Sequence, residues 1–300
     1  MLSVFRTFGF RSLIIAVVLA GLACLGGCSA LRIAYGTAPD LVYWWLDAYV
    51  DFDDAQAPRA RDAIKQWFAW SRRTQLPDYA GLLARARIEV AADTSAGRVC
   101  EWQAEGVKRA HAALDRIAPA MAELMLTITP DQIAHIEQHY AKRNDEFRGD
   151  FLQPDPRKRA EANFKRTLDR AETLYGKLGS PQRARIDEGL THSPFDAEVW
   201  IAERRQRQLD ALQVLRKLTA EKATRDQALA ALNGYVERLE HSPREPYRRY
   251  AERLAEFNCD FAANVHNTTT SAQRRVAADN LAGWEGDLRA LAAASPREGN

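Results

Sequence analysis

The stretch YRRYAERLAEFNCDFAANV, residues 247–265, carries Tyr247, Tyr250, Leu254, Phe257, Phe261 and Val265 at steps of three and four. That spacing places all six on one stripe of a helix, because an α-helix returns to the same face every 3.6 residues or so. The opposite face holds Ala251, Ala255, Cys259 and Ala262. A helix with small residues behind and rings in front is sandwiched between neighbours rather than laid on a surface. The same period recurs in Phe164, Leu168, Ala171, Leu174, Tyr175 and Leu178, and again in Trp102, Gly106, Ala110, Leu114 and Ile117. No segment from residue 30 onward alternates with the period of two that a half-buried strand requires.

Helix starts are legible too. Thr129-Pro130-Asp131-Gln132 has a cap residue, a proline in the first turn and a glutamine three residues after the cap, which is a capping box. Thr270-Ser271-Ala272-Gln273 repeats the box, and Ser180-Pro181 supplies a cap and a proline. The strongest breaks fall at Leu152–Arg157, Thr191–Pro194 and His241–Pro246. The expected fold is therefore all-α, an elongated multi-helix bundle or array of antiparallel helices joined by short loops and carrying one disulfide. No strict repeat or internal domain boundary is visible.

The first residues have a different character. Residues 1–27 contain Arg6 and Arg11 and no acid, followed by an apolar run from Leu13 to Leu25. A positive start, a short apolar core and small residues make a secretory signal. The run is shorter than the ~20 residues a membrane span needs. It ends in Leu25-Gly26-Gly27-Cys28, which resembles a bacterial lipobox; Cys24 fits less well because Gly21 takes its aliphatic position. The resemblance implies lipidation at Cys28, with palmitate among the acyl chains. Ser29 after the cysteine, rather than Asp, points to the outer membrane with the domain facing the periplasm. The expected organisation is a signal peptide over 1–27, a lipid-anchored tether over 28–39, a helical periplasmic domain over 40–295 and a disordered tail over 296–300.

Removing that segment changes the electrostatics. The whole chain has 42 Lys and Arg against 40 Asp and Glu. Without Arg6 and Arg11 the remainder is balanced, so no basic surplus argues for nucleic acid as a partner. In an oxidising periplasm the two remaining cysteines, Cys100 and Cys259, read as a disulfide. Ala96-Cys100-Ala104 and Ala255-Cys259 set each in a small-residue stripe that lets helices approach to the ~5.5 Å Cα separation a disulfide needs.

Chemistry is sparse. His135 and His139 stand at i and i+4, a spacing used by zinc sites, but Glu137 falls between them rather than directly after the first imidazole, and no third ligand is evident. They are at most weak metal ligands, and no cofactor is expected. No nucleophile stands in an informative context. Aromatic residues concentrate instead: Tyr43, Trp44, Trp45, Tyr49, Phe52, Trp67, Phe68 and Trp70 lie close together, with four of the seven tryptophans among them. Most are expected to form the core at one end of the bundle; Tyr43, Trp44, Trp45, Trp67 and Trp70 are the residues from which a partner-binding surface would be built.

Several segments have a familiar ring: LVYWWLDAYVDF (41–52), WFAWSRRTQLPDYA (67–80), DFLQPDP (150–156), SPFDAEVWIAERR (193–205) and SPREPYRRYAERLAEFNC (242–259). Together they resemble a family of uncharacterised proteobacterial lipoproteins whose domain has no known function. That resemblance implies the anchor and the compartment, and no activity. A local resemblance links Ile128-Thr129-Pro130-Asp131-Gln132 and Leu178-Gly179-Ser180-Pro181-Gln182 to the Leu-Thr-x-x-Gln motif of small helical periplasmic stress proteins. The first departs from it by Ile for Leu, the second by Gly for Thr. The expected function is non-enzymatic: a lipid-anchored envelope protein that docks a protein partner. A holdase-like periplasmic chaperone is the alternative, and a hydrolase of cell wall or peptides the reading of last resort.

Overall fold

The computed structural model describes the backbone of residues 30–294 and the side chains from Tyr35 onward. The expected signal peptide, the lipidation site Cys28 and the tail over 296–300 lie outside the described residues. Among the described residues the chain is all helix. In order run α1 (Ala30–Val50), α2 (Gln56–Glu89), α3 (Ala96–Met125), α4 (Pro130–Phe151), α5 (Pro156–Tyr175), α6 (Ser180–Thr191), α7 (Ala197–Glu221), α8 (Arg225–Glu240), α9 (Glu245–Asn267) and α10 (Ser271–Ala293). The breaks expected around Pro154, Pro194 and Pro243 all separate helices. Residues 30–39, expected as a tether, already belong to α1, where Tyr35 stacks edge-on against Phe68 and donates its hydroxyl to the Phe68 carbonyl.

The spine is α2, whose 34 residues extend roughly 51 Å at 1.5 Å per residue. Helix α10 runs antiparallel along its second half: Arg72, midway along α2, reaches the Ala294 carbonyl, and Arg274 pairs with Asp93 just past the α2 C-terminus. Helix α9 lies antiparallel to α3, with Thr94 bonded to Asn267 and Cys100 joined to Cys259 at a Cα separation of 5.4 Å. Helices α4 and α7 pair the same way, through Asn144 with Gln208 and Glu137 with Arg216. Close approach is built into the small residues: a Cβ at Gly189 would sit 2.3 Å from the Phe261 ring, so α6 can meet α9 only through glycine. His266 on α9 links two further elements, its Nε2 bonding the Ala92 carbonyl at 2.7 Å and its Nδ1 the Tyr175 hydroxyl at 2.8 Å.

Buried apolar residues form several small clusters rather than one continuous core. One joins Ile128, Ile133, Ile136 and Leu212; another joins Leu168, Leu178, Ile186 and Val265; a third joins Tyr43, Ala60 and Ile64. What ties the clusters is a pair of glutamine clasps. Gln132 closes its own capping box by accepting the Thr129 N–H, and its amide donates to the Asp51 carbonyl at 2.8 Å. Gln56 does the converse, accepting the Asp53 N–H and donating to the Thr127 carbonyl at 2.8 Å. Both side chains are buried and bond each other.

The second clasp has the same wiring. Gln182 accepts the Gly179 N–H and donates to the Thr268 carbonyl at 2.7 Å, while Gln273 accepts the Thr270 N–H and donates to the Lys177 carbonyl at 3.0 Å. In all four cases the glutamine stands three residues after the residue whose N–H it accepts and reaches the carbonyl two residues before the corresponding residue of its partner. The α1–α2 loop is thereby locked to the α3–α4 loop, and the α5–α6 loop to the α9–α10 loop.

A buried charge makes a further tie. Glu203 on α7 is 4% exposed and accepts from Arg244 at 2.7 and 3.0 Å and from Arg207 at 3.0 Å. Burial pushes its carboxyl up, but hydrogen bonds from Arg244, Ser242 and Arg207 outweigh this and hold it below the ordinary glutamate value.

Two outcomes follow for stability. Gln132→Leu strips partners from the Asp51 carbonyl and the Gln56 amide, a loss of about 2–3 kcal/mol in urea unfolding. Gln56→Leu added to it costs much less than it does alone, whereas Gln273→Leu added to it is close to additive; strict additivity for both pairs would contradict the clasps. Because the folded pKa of Glu203 is depressed, its contribution is complete above the unfolded value near ~4.3 and is lost as pH falls through the folded value. Wild-type Tm therefore drops more steeply below about pH 4 than that of Glu203→Gln, as followed by circular dichroism.

Candidate functional site

The aromatic-rich segment lies on α1 and α2, and the structure distributes its rings by helical angle. Tyr43 is buried beneath the Arg61 guanidinium, 4.0 Å from its ring centroid, and stacks towards Phe52. Trp44, one residue on, turns outward and is 61% exposed. Trp45 packs on Tyr49, which in turn covers His139. Trp67 and Trp70 contact each other with centroids 6.1 Å apart. The five residues expected to build a partner surface therefore do not share a face. Of the five, Trp67 alone lines the concavity next to them.

That concavity is an apolar groove of about 650 Å³. One wall is α1, through Val42, Leu46 and Val50; a second is α2, through Ile64, Trp67 and Phe68. The third is α3, through Leu114, Ile117, Met121 and Met125, and Ile128, Ile136 and Leu215 close the end beside the first glutamine clasp. Every lining side chain is apolar, and the one polar atom among them, the Trp67 Nε1–H, is spent on the Ala113 carbonyl at 2.8 Å. Most of the lining residues are only half-buried, so the groove presents hydrocarbon to solvent. Leu114 and Ile117 belong to a stripe legible in the sequence as core. The periodicity located the stripe correctly but could not show that, among the described residues, it is left only half-buried.

The histidine pair has other engagements. His135 Nε2 bonds the Ala48 carbonyl at 3.2 Å, and His139 lies over the Tyr49 ring and bonds Arg143 at 3.2 Å. Burial, then the Arg143 charge, pushes the His139 imidazole below its ordinary pKa. Glu137 points away to Arg216 on α7. Among the described residues, ligand-type side chains converge elsewhere, at Glu237, Glu240 and His241. Also among the described residues, no helix is long and apolar enough to cross a membrane.

An apolar, environment-sensitive dye is expected to bind the groove and accept excitation energy from Trp67. Ile117→Asp sets a carboxylate in the wall and weakens that binding by more than about tenfold. Ile88→Asp, at a residue 73% exposed outside the groove, leaves it unchanged. Equal dye binding by wild type and Ile117→Asp, with helicity confirmed by circular dichroism, would show that the groove is not the dye site.

No curated protein and no solved structure matches this chain. A family model does, over residues 48–243, from the end of α1 through α8. That span holds most of the groove, both histidines of the α4 pair and Cys100, and leaves Cys259 outside. The match covers more than half of the chain, which therefore belongs to DUF6279, a family of unknown function.

Proposed function

We propose that this chain is a non-enzymatic, lipid-anchored envelope protein that binds the apolar face of a helix from a partner protein in the groove between α1, α2 and α3. The observation that carries this reading is the groove's lining: hydrocarbon throughout, with Met121 and Met125 one helical turn apart on the same wall. An extended peptide laid there would leave its backbone N–H and C=O groups without partners, at a cost of about 1–3 kcal/mol each. A helix satisfies its own backbone and presents only side chains, anchored at i, i+3, i+4 and i+7. Methionine is flexible and polarisable, so this wall adapts to different apolar side chains.

The placement in the envelope rests on the signal segment and on Cys28. The disulfide between Cys100 and Cys259 is consistent with it, since such bonds persist in oxidising compartments. The adaptable methionine wall also favours the second reading, a holdase-like chaperone that accepts many clients rather than one.

A photo-reactive amino acid placed at Met121 in living cells tests both. The first reading expects crosslinks mapping to one envelope protein, on a peptide whose apolar residues fall at helical spacing. Crosslinks to many unrelated clients would replace it with the holdase reading. Crosslinks to lipid alone, or the same products from a probe at Ile88, would overturn the groove as a protein-binding site.

A further inference from the structure

Helices α3 and α8 meet at a cluster that neither the groove nor the clasps use. His111 on α3 lies with its Nε2 2.5 Å from the Glu240 carboxylate on α8. One turn back on α8, Glu237 lies 3.0 Å from His241 Nδ1. The donor atoms of Glu237, Glu240 and His241 all fall within 4.8 Å of one another. We propose that these four side chains form a binding site for a divalent transition ion of the zinc class, bridging α3 to the end of α8.

Three features converge on a cation of that kind. The donor set is two imidazoles and two carboxylates, which suits zinc and its neighbours and is foreign to calcium or magnesium, which take oxygen ligands. Tetrahedral zinc at roughly 2.0–2.2 Å from each ligand sets donor atoms roughly 3.3–3.6 Å apart. Glu237, Glu240 and His241 already lie within 4.8 Å of one another, and His111 reaches the group through its contact with Glu240. Finally, α8 ends at Glu240 and His241 caps it, so the free carbonyls of the last turn add negative potential at the same place. Two carboxylates of like charge on one turn at a helix C-terminus are unfavourable by themselves, and a dication relieves both effects.

The bridge has a structural consequence. Helix α8 runs antiparallel to α3, already held at its start by Arg225 with Glu123. An ion at His111 would fix its other end, beside the loop that carries Ser242 and Arg244 to Glu203. Binding that favours the folded state raises stability by mass action.

The test is Zn²⁺ titration of the chelator-stripped full chain, with its free thiols alkylated, followed by calorimetry and by the ligand-field absorption of the Co²⁺ form. The expected result is saturable binding of one ion per chain and a rise in Tm, unaffected by excess Ca²⁺. His111→Ala and Glu237→Gln each weaken binding by more than about tenfold, whereas His135→Ala/His139→Ala does not. Circular dichroism checks that each variant keeps its helices; all four ligands lie on the surface, so the fold does not depend on them. No saturable binding, unchanged affinity in His111→Ala, or loss in the His135→Ala/His139→Ala variant overturns the site and leaves two surface ion pairs in its place.

Discussion

The constraint on which this array depends is that four helix starts must satisfy their orphaned N–H groups while standing next to another loop that has orphaned carbonyls. One residue type meets both demands. A glutamine three residues past the cap offers its oxygen to its own helix start and its amide to the loop opposite. Because Gln56, Gln132 and Gln182 are buried, the bonds are shielded from competing water and an unmade one is expensive. The clasps matter the more because apolar burial is divided among small clusters. Loops far apart in the chain are held in register by polar bonds, and the clusters between them follow.

The groove is a consequence of the same layout. The first clasp and the Ile128 cluster pin one end of α1, α2, α3 and α4 together, while further along Trp67, Ile117 and Met121 line the groove between them. The equivalent region beside the second clasp is filled, by Phe164, Tyr175 and Phe261 packed against Leu178 and Ile186. Two ends of the molecule thus share one wiring and differ in whether hydrocarbon is covered. An end left uncovered by the described residues, and lined without a single polar side chain, is where an apolar partner surface fits.

The all-α class, three of the breaks and the disulfide were legible because each rests on local or compositional signals: the 3.6-residue period, proline and capping residues, and an even pair of cysteines in small-residue stripes. The Leu-Thr-x-x-Gln likeness at Ile128–Gln132 and Leu178–Gln182 was visible as capping chemistry. Gln273 was legible in the same way and Gln56 was not, but neither pairing was, since nothing in the spacing couples residues some 76 or 91 apart. The aromatic segment was legible as important, and its division into a buried Tyr43, an outward Trp44 and a groove-lining Trp67 was not.

By itself, then, the sequence determined what short-range physics determines: an all-α chain, several of its helix starts and breaks, and which cysteines pair. Tertiary structure alone decided which apolar stripes found cover. Periodicity says that Leu114 and Ile117 share a face with their neighbours, but exposure depends on how far apart α1, α2 and α3 stand, which is set by clasps between loops remote in sequence. The convergence of His111 with Glu240 has the same origin, for it exists only because α8 folds back antiparallel on α3.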